Sequence, residues 1–208
     1  MKHYIVNEIF YSLQGEGRRA GTASVFVRFA HCNLECRVET HGFDCDTEFA
    51  SGRRLTLKEI HQKILDELSP YGLDIAVQRP WIVYTGGEPA LQLDDECVTF
   101  FSECDFRQAI ETNGTKEIPD GLDWVCVSPK AAEHTLRIRG HIDELKYVRH
   151  DGQGYPRPSL KADHYLLSPA FNPTGNVNLV DLLHCIHLCK KDPTWKLSVQ
   201  QHKYWGVR

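Results

Sequence analysis

The sequence predicts an α/β fold built on a parallel β-sheet, either open or closed into a barrel. Short β-branched and aromatic runs alternate with helices or with connections of helix length, a pattern typical of parallel sheets. Polar clusters follow several of these runs, and in parallel α/β architectures the carboxyl ends of the strands share the face that carries the active site. The 208 residues suit one domain, residues 1–208, with a real hydrophobic core.

The elements follow one another in a regular order. Ser24–Phe29 (SVFVRF) is a predicted strand because β-branched and aromatic residues dominate it. Thr56 and Glu59 form a capping-box pattern that begins a helix, and Pro70 ends that helix. Further strands are predicted at Trp81–Tyr84, Phe106–Ile110, Leu122–Val127, Glu144–Val148, Tyr165–Leu167 and Leu197–Gln200, and further helices at Leu91–Ser102 and Val177–Cys189.

Composition argues against several classes of function. The formal net charge is −4, whereas a protein that binds the backbone of a nucleic acid is usually basic, so no nucleic-acid partner is expected. The amino-terminal segment lacks the apolar core of a secretory signal, and no apolar run is long enough to cross a bilayer. We therefore expect a cytoplasmic protein with no membrane partner. In a reducing compartment, its eight cysteines indicate metal binding or burial rather than disulfides.

Three cysteines, Cys32, Cys36 and Cys45, lie on one polar loop between the first strand and the helix that begins near Thr56. We call residues 31–49 the cysteine loop. A closed zinc or iron–sulfur site normally takes four protein ligands, so three thiols leave one coordination position for a substrate or cofactor. The remaining cysteines are interpreted as packing residues: Cys97, Cys104, Cys126, Cys185 and Cys189.

Three more polar clusters each follow a predicted strand. They are TGGEP (Thr85–Pro89), ETNGT (Glu111–Thr115) and SPK (Ser128–Lys130). The paired glycines of TGGEP allow backbone groups and one carboxylate to converge just beyond a strand. We therefore expect these clusters and the cysteine loop to meet at one face of the sheet.

Three other segments carry polar residues whose role the pattern leaves open. NEIFYSLQGEG (Asn7–Gly17) runs from an apolar, strand-like piece into a polar turn, which by itself is more typical of a surface hairpin. Arg28 alternates with apolar neighbours, so it is either solvated or bound to a buried anion. Glu144 and Lys146 in ELKYV lie on one face of their strand.

These segments, in this order, resemble the radical S-adenosylmethionine (SAM) enzymes, and within them the 7-carboxy-7-deazaguanine synthases. The resemblance extends from NEIFYSLQGEG through CNLEC, CDTEF, TGGEP, ETNGT, VSPK and ELKYV to the closing LSVQQHKYWGVR, and so covers nearly the whole chain. It implies an abbreviated radical-SAM partial (β/α) barrel with mostly parallel strands, assembled as a homodimer. It also implies ring contraction of 6-carboxy-5,6,7,8-tetrahydropterin to 7-carboxy-7-deazaguanine with loss of ammonia, in queuosine or 7-deazapurine biosynthesis.

The same resemblance implies roles for individual residues. Cys32, Cys36 and Cys45 would bind a 4Fe–4S cluster, with SAM on the fourth iron, and Thr47 would help to hold Mg²⁺ against the substrate. Contacts to SAM are implied for Asp44, Cys45, Asp46, Gly86, Gly87, Glu88, Asn113, Ser128, Pro129, Lys130, Glu144 and Lys146. Contacts to the pterin are implied for Leu13, Gln14, Gly15, Glu16, Arg28, Thr85, His202 and Arg208. No side chain is assigned a catalytic role, because the cofactor carries the radical, and an electron donor such as a flavodoxin would reduce the cluster.

One feature departs from the common family pattern, and two other functions fit parts of the sequence. Eight residues separate Cys36 from Cys45 where two are usual, and Asp44 stands where an aromatic residue is usual. His31 or His41 could complete a Cys₃His zinc site in a binding or scaffold domain, but TGGEP, ETNGT and SPK are then unexplained. A glycyl-radical activating enzyme would also use three cysteines and SAM, although NEIFYSLQGEG and HKYWGVR argue against it.

Overall fold

The computed structural model describes residues 2–41, 45, 48–170 and 176–208. Within these ranges the strands are β1 Tyr4–Leu13, β2 Ala23–Phe29, β3 Arg53–Leu55, β4 Trp81–Gly86, β5 Arg107–Thr112, β6 Trp124–Val127, β7 Glu144–Arg149, β8 His164–Pro169 and β9 Trp195–Leu197. The helices are α1 Val38–His41, α2 Leu57–Leu68, α3 Ile75–Gln78, α4 Asp95–Glu103, α5 Leu179–Lys191 and α6 Gln201–Trp205. In this part of the chain, no helix combines the length and apolar character needed to span a membrane.

The nine described strands form one sheet in the order β3-β1-β2-β4-β5-β6-β7-β8-β9. Strand β1 is antiparallel to both of its neighbours, whereas every pairing from β2 to β9 is parallel. Strands β3 and β9 are the two edges, so the sheet is open. The predicted α/β fold with mostly parallel strands is therefore confirmed, with an antiparallel pair of strands added at one edge.

The long helices cover one face of the sheet and build the core. Helix α2 packs on β1 and α4, α4 packs on β5, and α5 packs on β8 and β9. The central strand β4 is buried on both faces, since Ile82, Val83 and Tyr84 all have no exposed surface. This continuous apolar run is what a strand covered on both sides requires. Residues at and beyond the carboxyl ends of the strands line the site described below.

Helix α2 begins where its sequence pattern predicts. The Thr56 hydroxyl accepts a hydrogen bond from the Glu59 amide (3.3 Å), and the Glu59 carboxylate accepts one from the Thr56 amide (2.7 Å). These reciprocal bonds satisfy amide groups that the first helical turn leaves without partners. Ile60, Ile64 and Leu68 then bury one face of the helix against the sheet.

Two predicted elements differ from the observed ones by three residues or more at one end, and the others differ by one or two residues. The predicted strand Leu197–Gln200 is wrong, because the strand is Trp195–Leu197 and Gln200 already precedes α6. Trp195 sets this register, since it is buried among the rings of Tyr147 and Tyr165. The predicted helix Leu91–Ser102 begins only at Asp95, because the Asp94 carboxylate accepts the Cys97 amide hydrogen bond (3.0 Å) and caps the helix there.

We predict that Thr56→Ala lowers the free energy of unfolding by about 1 kcal/mol, because it removes the N-cap of α2. Urea denaturation followed by circular dichroism measures this change. Thr99→Ala is the matched control, since Thr99 is exposed within α4, and it should change stability by less than about 0.5 kcal/mol. Equal effects of the two substitutions would contradict the capping role.

Candidate active site

A cavity of about 420 Å³ opens at the carboxyl ends of the parallel strands. Cys32, Leu34, Cys36 and Cys45 of the cysteine loop line it together with residues of β1, β2 and the segment 200–208. The ends of β4, β5, β6 and β7 contribute Thr85, Glu111, Ser128 and Lys146 to the same cavity. The polar clusters therefore meet at one face of the sheet, as the sequence predicts.

Most residues implied by the resemblance line this cavity. They are Leu13, Gln14, Gly15, Glu16, Arg28, Cys32, Cys36, Cys45, Thr85, Gly86, Gly87, Asn113, Ser128, Lys130, Lys146, His202 and Arg208. Glu88, Pro129 and Glu144 are not among the residues that line it. Asp44, Asp46 and Thr47 lie outside the described residues.

The end of β4 lies directly against the start of the cysteine loop. The Gly87 amide donates to the Phe29 carbonyl (3.1 Å), and the Glu88 amide donates to the His31 carbonyl (2.9 Å). A Cβ on Gly87 would lie 2.0 Å from the His31 oxygen, and one on Gly86, whose φ is +129°, would lie 2.1 Å from the Phe29 oxygen. Only glycine allows this approach, which explains the paired glycines of TGGEP.

The Glu88 carboxylate links TGGEP to ETNGT by hydrogen bonds, although Glu88 does not itself line the cavity. It has no exposed surface and accepts hydrogen bonds from the Thr112 hydroxyl (2.6 Å) and from the amides of Asn113 (2.7 Å) and Ala90 (2.9 Å). Burial raises the pKa of Glu88, while these three bonds oppose that effect. Glu88 thus holds two loops together and orients Asn113, which lines the cavity.

Four residues on the cavity floor are joined in a closed ring of hydrogen bonds, which we call the floor network: Gln14, Glu16, Glu111 and Lys146. The Lys146 ammonium donates to the carboxylates of Glu16 and Glu111, the latter at 3.1 Å. The Gln14 amide nitrogen donates to the other Glu111 oxygen (3.1 Å), and its oxygen accepts the Glu16 backbone amide (3.1 Å). Lys146 is only 7% exposed, so these contacts take the place of water.

Strands β1 and β2 contribute the cation Arg28 and the aromatic rings of Phe10 and Phe26 to the cavity lining. Arg28 donates from Nε to the Glu8 carboxylate (2.8 Å), and Arg208 donates to the other oxygen of Glu8. The rings of Phe10 and Phe26 stack with centroids 5.0 Å apart. In the part of the chain that the structure describes, the two Nη nitrogens of Arg28 make no hydrogen bond. The Arg28 guanidinium is therefore half-buried beside the cavity, and its Nε is paired with Glu8.

The segment that contains α6 closes over the turn after β1. The Gln201 amide donates to the Gly15 carbonyl (2.8 Å), and the Ser12 hydroxyl donates to the Arg208 carbonyl (2.7 Å). The His202 ring packs directly on Gly15, where a Cβ would lie 2.0 Å from its Nδ1. The polar turn Gln14–Gly17 is therefore covered by a distant segment rather than exposed as a surface hairpin.

No family model matches the chain, but curated relatives do. It is 38% identical over 218 residues to 7-carboxy-7-deazaguanine synthase of Bradyrhizobium diazoefficiens, with 99% of each chain covered. It is also 38% identical over 204 residues to the enzyme of that name from Bacteroides thetaiotaomicron, and 39% identical over 218 residues to the one from Nitratidesulfovibrio vulgaris, with 98% or more of each chain covered. The chain belongs to the 7-carboxy-7-deazaguanine synthase family.

The structure is similar to the crystal structure of QueE from Escherichia coli. The TM-score is 0.63, with 96% of this chain and 95% of that chain covered, and the sequences are 23% identical. This likeness supports the fold. Membership of the 7-carboxy-7-deazaguanine synthase family makes the chain a radical-SAM lyase, which works with SAM and an iron–sulfur cluster.

The three thiols of the cysteine loop fit such a cluster better than a single zinc ion. All three line the cavity, and the Leu34 amide points at the Cys32 sulfur (3.4 Å). Among the described residues, the one group of three metal-ligating side chains with ligand atoms within 4.8 Å of one another is His141, Asp143 and Asp163. At least two of the three cysteine sulfurs are therefore more than 4.8 Å apart, whereas around tetrahedral zinc they lie about 3.8 Å apart. A cluster suits this spread because each thiolate binds a different iron.

The other cysteines behave as the sequence predicts or lie apart from the site. Cys97, Cys126 and Cys185 are buried, and burial raises the pKa of each thiol. Cys104 and Cys189 are partly buried and pack against the same core. None of these five lines the cavity.

Sequence reasoning missed four residues that shape the site: Glu8, Phe10, Phe26 and Glu111. A period-two reading of β1 could have put Glu8 and Phe10 on one face, but only the register of β1 on β2 pairs them with Arg28 and Phe26. Glu111 stands in ETNGT, yet its partners Gln14 and Lys146 are distant in sequence. No local signal could have identified those contacts.

We predict that Gly15→Ala displaces His202 and loosens residues 201–208, because the added methyl group would occupy the position of the imidazole. Limited trypsin digestion followed by mass spectrometry should show faster cleavage after Lys203. Gly154→Ala is the matched control, since a Cβ at Gly154 meets nothing within 4 Å. Unchanged cleavage in Gly15→Ala would contradict this packing.

Proposed function

We propose that this chain converts 6-carboxy-5,6,7,8-tetrahydropterin into 7-carboxy-7-deazaguanine by ring contraction with loss of ammonia, in queuosine or 7-deazapurine biosynthesis. When bound to the cluster, SAM supplies the carbon-centred radical that removes hydrogen from the substrate. The observation that carries the proposal is that one cavity is lined both by the three thiols and by the Arg28 guanidinium with the stacked Phe10 and Phe26 rings. Cofactor and a flat, anionic substrate can therefore meet within it.

On the cofactor side, we assign the loop thiols to the cluster and the strand ends to SAM. Gly86 and Gly87 present backbone at the cavity wall, where the methionine part of SAM would lie. Asn113 and Ser128 offer polar side chains beside them, and Lys130 donates to the Ser128 hydroxyl. Glu88 acts indirectly in this scheme, because its carboxylate is engaged with the backbone and hydroxyl groups that hold these loops in position.

On the substrate side, we assign the pterin to the space between Arg28 and the floor network. The Nη nitrogens of Arg28, which bond to no other described residue, can form charge-assisted hydrogen bonds with the substrate carboxylate. Leu13 and the aromatic pair on β1 and β2 offer apolar surface to the ring. The segment with His202 and Arg208 lines the cavity and would exclude water from the bound substrate, which would strengthen each of these electrostatic contacts.

Three further parts of the proposal concern groups beyond the described residues. Thr47 follows the third cysteine in sequence and would help to hold Mg²⁺ against the substrate carboxylate, because hard oxygen ligands suit that ion. Asp44 and Asp46 flank the same cysteine and would contact SAM. A homodimer and a one-electron donor such as a flavodoxin complete the proposed system.

The proposal is tested with the three loop cysteines. We expect Cys32→Ala, Cys36→Ala and Cys45→Ala each to abolish the iron–sulfur absorbance, the EPR signal of the reduced protein and all formation of 7-carboxy-7-deazaguanine. Anaerobic iron and sulfide assays, EPR spectroscopy and mass spectrometry of the product measure these effects. The physical reason is that each thiolate binds one iron, and no other cysteine lines the described part of the cavity.

Cys185→Ala is the control, since Cys185 is buried in α5 away from the cavity. It should retain cluster and turnover and lose only about 1 kcal/mol of stability. Zinc in place of iron in the wild-type protein would favour the scaffold-domain alternative. A cluster without ring contraction, together with radical transfer to a partner protein, would favour an activating enzyme.

We predict that Arg28→Ala lowers kcat/KM for the pterin by about 100-fold or more, because a charge-assisted contact to the substrate carboxylate is lost. Uncoupled cleavage of SAM with dithionite and no pterin should survive, because the proposal assigns Arg28 to the pterin and not to SAM. Arg54→Ala is the control, because Arg54 is exposed on the edge strand β3. If both activities of Arg28→Ala fall together, the substrate carboxylate binds elsewhere.

A further inference from the structure

The floor network contains one ammonium group between two carboxylates. Lys146 has three donor protons, and two of them are directed to Glu16 and Glu111. A lysine engaged in this way has little left to offer the carboxylate of SAM, which is the role that the resemblance implies for it. The geometry instead connects Lys146 to Gln14 and Glu16, residues on the pterin side of the cavity.

Each member of the floor network depends on the next. A buried carboxylate without a cation is costly to ionise, so Glu16 needs the Lys146 ammonium. The Lys146 side chain is itself 8% exposed and is held from the other side by Glu111. The second Glu111 oxygen accepts from the Gln14 amide nitrogen, which leaves the Gln14 oxygen for the Glu16 backbone. Glu111 therefore determines both where the ammonium lies and which way the Gln14 amide faces.

We propose that Glu111 and Lys146 are positioning residues, which hold Glu16 as an ionised hydrogen-bond acceptor and the Gln14 amide in a single orientation for recognition of a heterocycle edge with adjacent N–H donors. The 2-amino-4-oxopyrimidine edge of a pterin has this chemistry, and an ionised carboxylate is its natural acceptor. This assignment rests on the proposed function for the identity of the ligand, but the ionisation of Glu16 is a property of the protein alone.

Several charged groups surround Glu16 and must all be considered. Lys146 from β7, Lys130 after β6 and His202 from α6 favour its ionised form, while the Gln200 side chain adds a hydrogen bond to it. Glu111 from β5 contacts the same ammonium as Glu16, and Glu144 from β7 also interacts with Lys146. Burial opposes ionisation, but Lys146 outweighs it, and the pKa of Glu16 is lowered to about 2.

Replacing Lys146 by methionine removes the main counterion but leaves the burial. The pKa of Glu16 then rises above the ordinary value of a glutamate, so Glu16 becomes protonated as the pH falls through the working range. Protonated Glu16 accepts the N–H edge poorly, and pterin binding should weaken with falling pH. The wild-type protein should show no such weakening from Glu16, because its pKa lies far below that range.

The first experiment measures this ionisation directly in the oxidised holoenzyme. Glutamate labelled with ¹³C at the δ-carbon is incorporated, the Glu16 carboxyl signal is identified from its loss in Glu16→Gln, and spectra are recorded from about pH 4.5 to 8. The signal should be constant in the wild type and in Lys146→Arg, which keeps the cation, and should titrate in Lys146→Met. The control Lys196→Met, which removes an exposed lysine of β9, should leave it constant. A constant signal in Lys146→Met overturns the proposal.

The second experiment measures recognition with two fluorescent probes that differ only at the edge in question. 6-Carboxypterin carries the exocyclic amino group, and 6-carboxylumazine has an oxygen there. The wild type should prefer the pterin by about tenfold or more, and Glu111→Gln should reduce that preference to about twofold or less, because an amide at position 111 presents a donor to Lys146 or to Gln14. Glu117→Gln, at an exposed glutamate, is the matched control.

The two experiments separate this inference from the proposed function. If the wild type binds neither probe but Glu16 titrates only in Lys146→Met, the proposed substrate is wrong while the floor network acts as described. If the wild type prefers the pterin and Glu111→Gln keeps that preference in full, the positioning role of Glu111 is wrong while the proposed substrate stands. SAM affinity, measured in the same variants, should change by less than about twofold. A larger loss would indicate that Lys146 contacts SAM, as the resemblance implies.

Discussion

The close approach of two backbone segments, the end of β4 and the start of the cysteine loop, is the constraint on which the site depends. Gly86 and Gly87 lie so near Phe29 and His31 that no side chain fits between them, and two amide hydrogen bonds close the gap. The buried Glu88 carboxylate then joins this junction to the next loop. A long loop with three thiols thereby begins from a rigid base, which a multi-ligand cluster requires.

The thiols and the charged side chains that line the cavity have different electrostatic environments. Burial raises the pKa of the half-buried thiols of Cys32 and Cys36, which need a metal to displace their protons. Elsewhere in the cavity, the Lys146 ammonium contacts the carboxylates of both Glu16 and Glu111, and Arg28 shares the Glu8 carboxylate with Arg208. In the proposed function, the thiols receive the metal, and the charged side chains around Lys146 and Arg28 receive the polar, anionic heterocycle. The antiparallel strand β1 contributes Phe10 and Leu13 to the cavity lining.

The sequence was sufficient for the parts of this arrangement that depend on local pattern. Alternation of strand and helix predicts the parallel sheet, and the glycines of Thr85–Pro89 mark a close backbone approach wherever they occur. The position of Glu111–Thr115 after a strand predicts which face it joins. The predicted boundaries were wrong where the sequence pattern was weak, as for the strand predicted at Leu197–Gln200. There, the burial of Trp195 among aromatic rings distant in sequence determines the position of the strand.

What the sequence by itself determined is the kind of site: three thiols on one loop, polar clusters after successive strands, and a family resemblance that the relatives confirm. What only the tertiary structure decided is which charges meet. Lys146 and Glu16 are separated by 130 residues, and Glu8 meets Arg28 only through the register of two antiparallel strands. Periodicity determines the face on which a side chain lies, because it follows from local backbone geometry. The partner of a buried charge depends on distances through space, which arise only when the whole sheet is assembled.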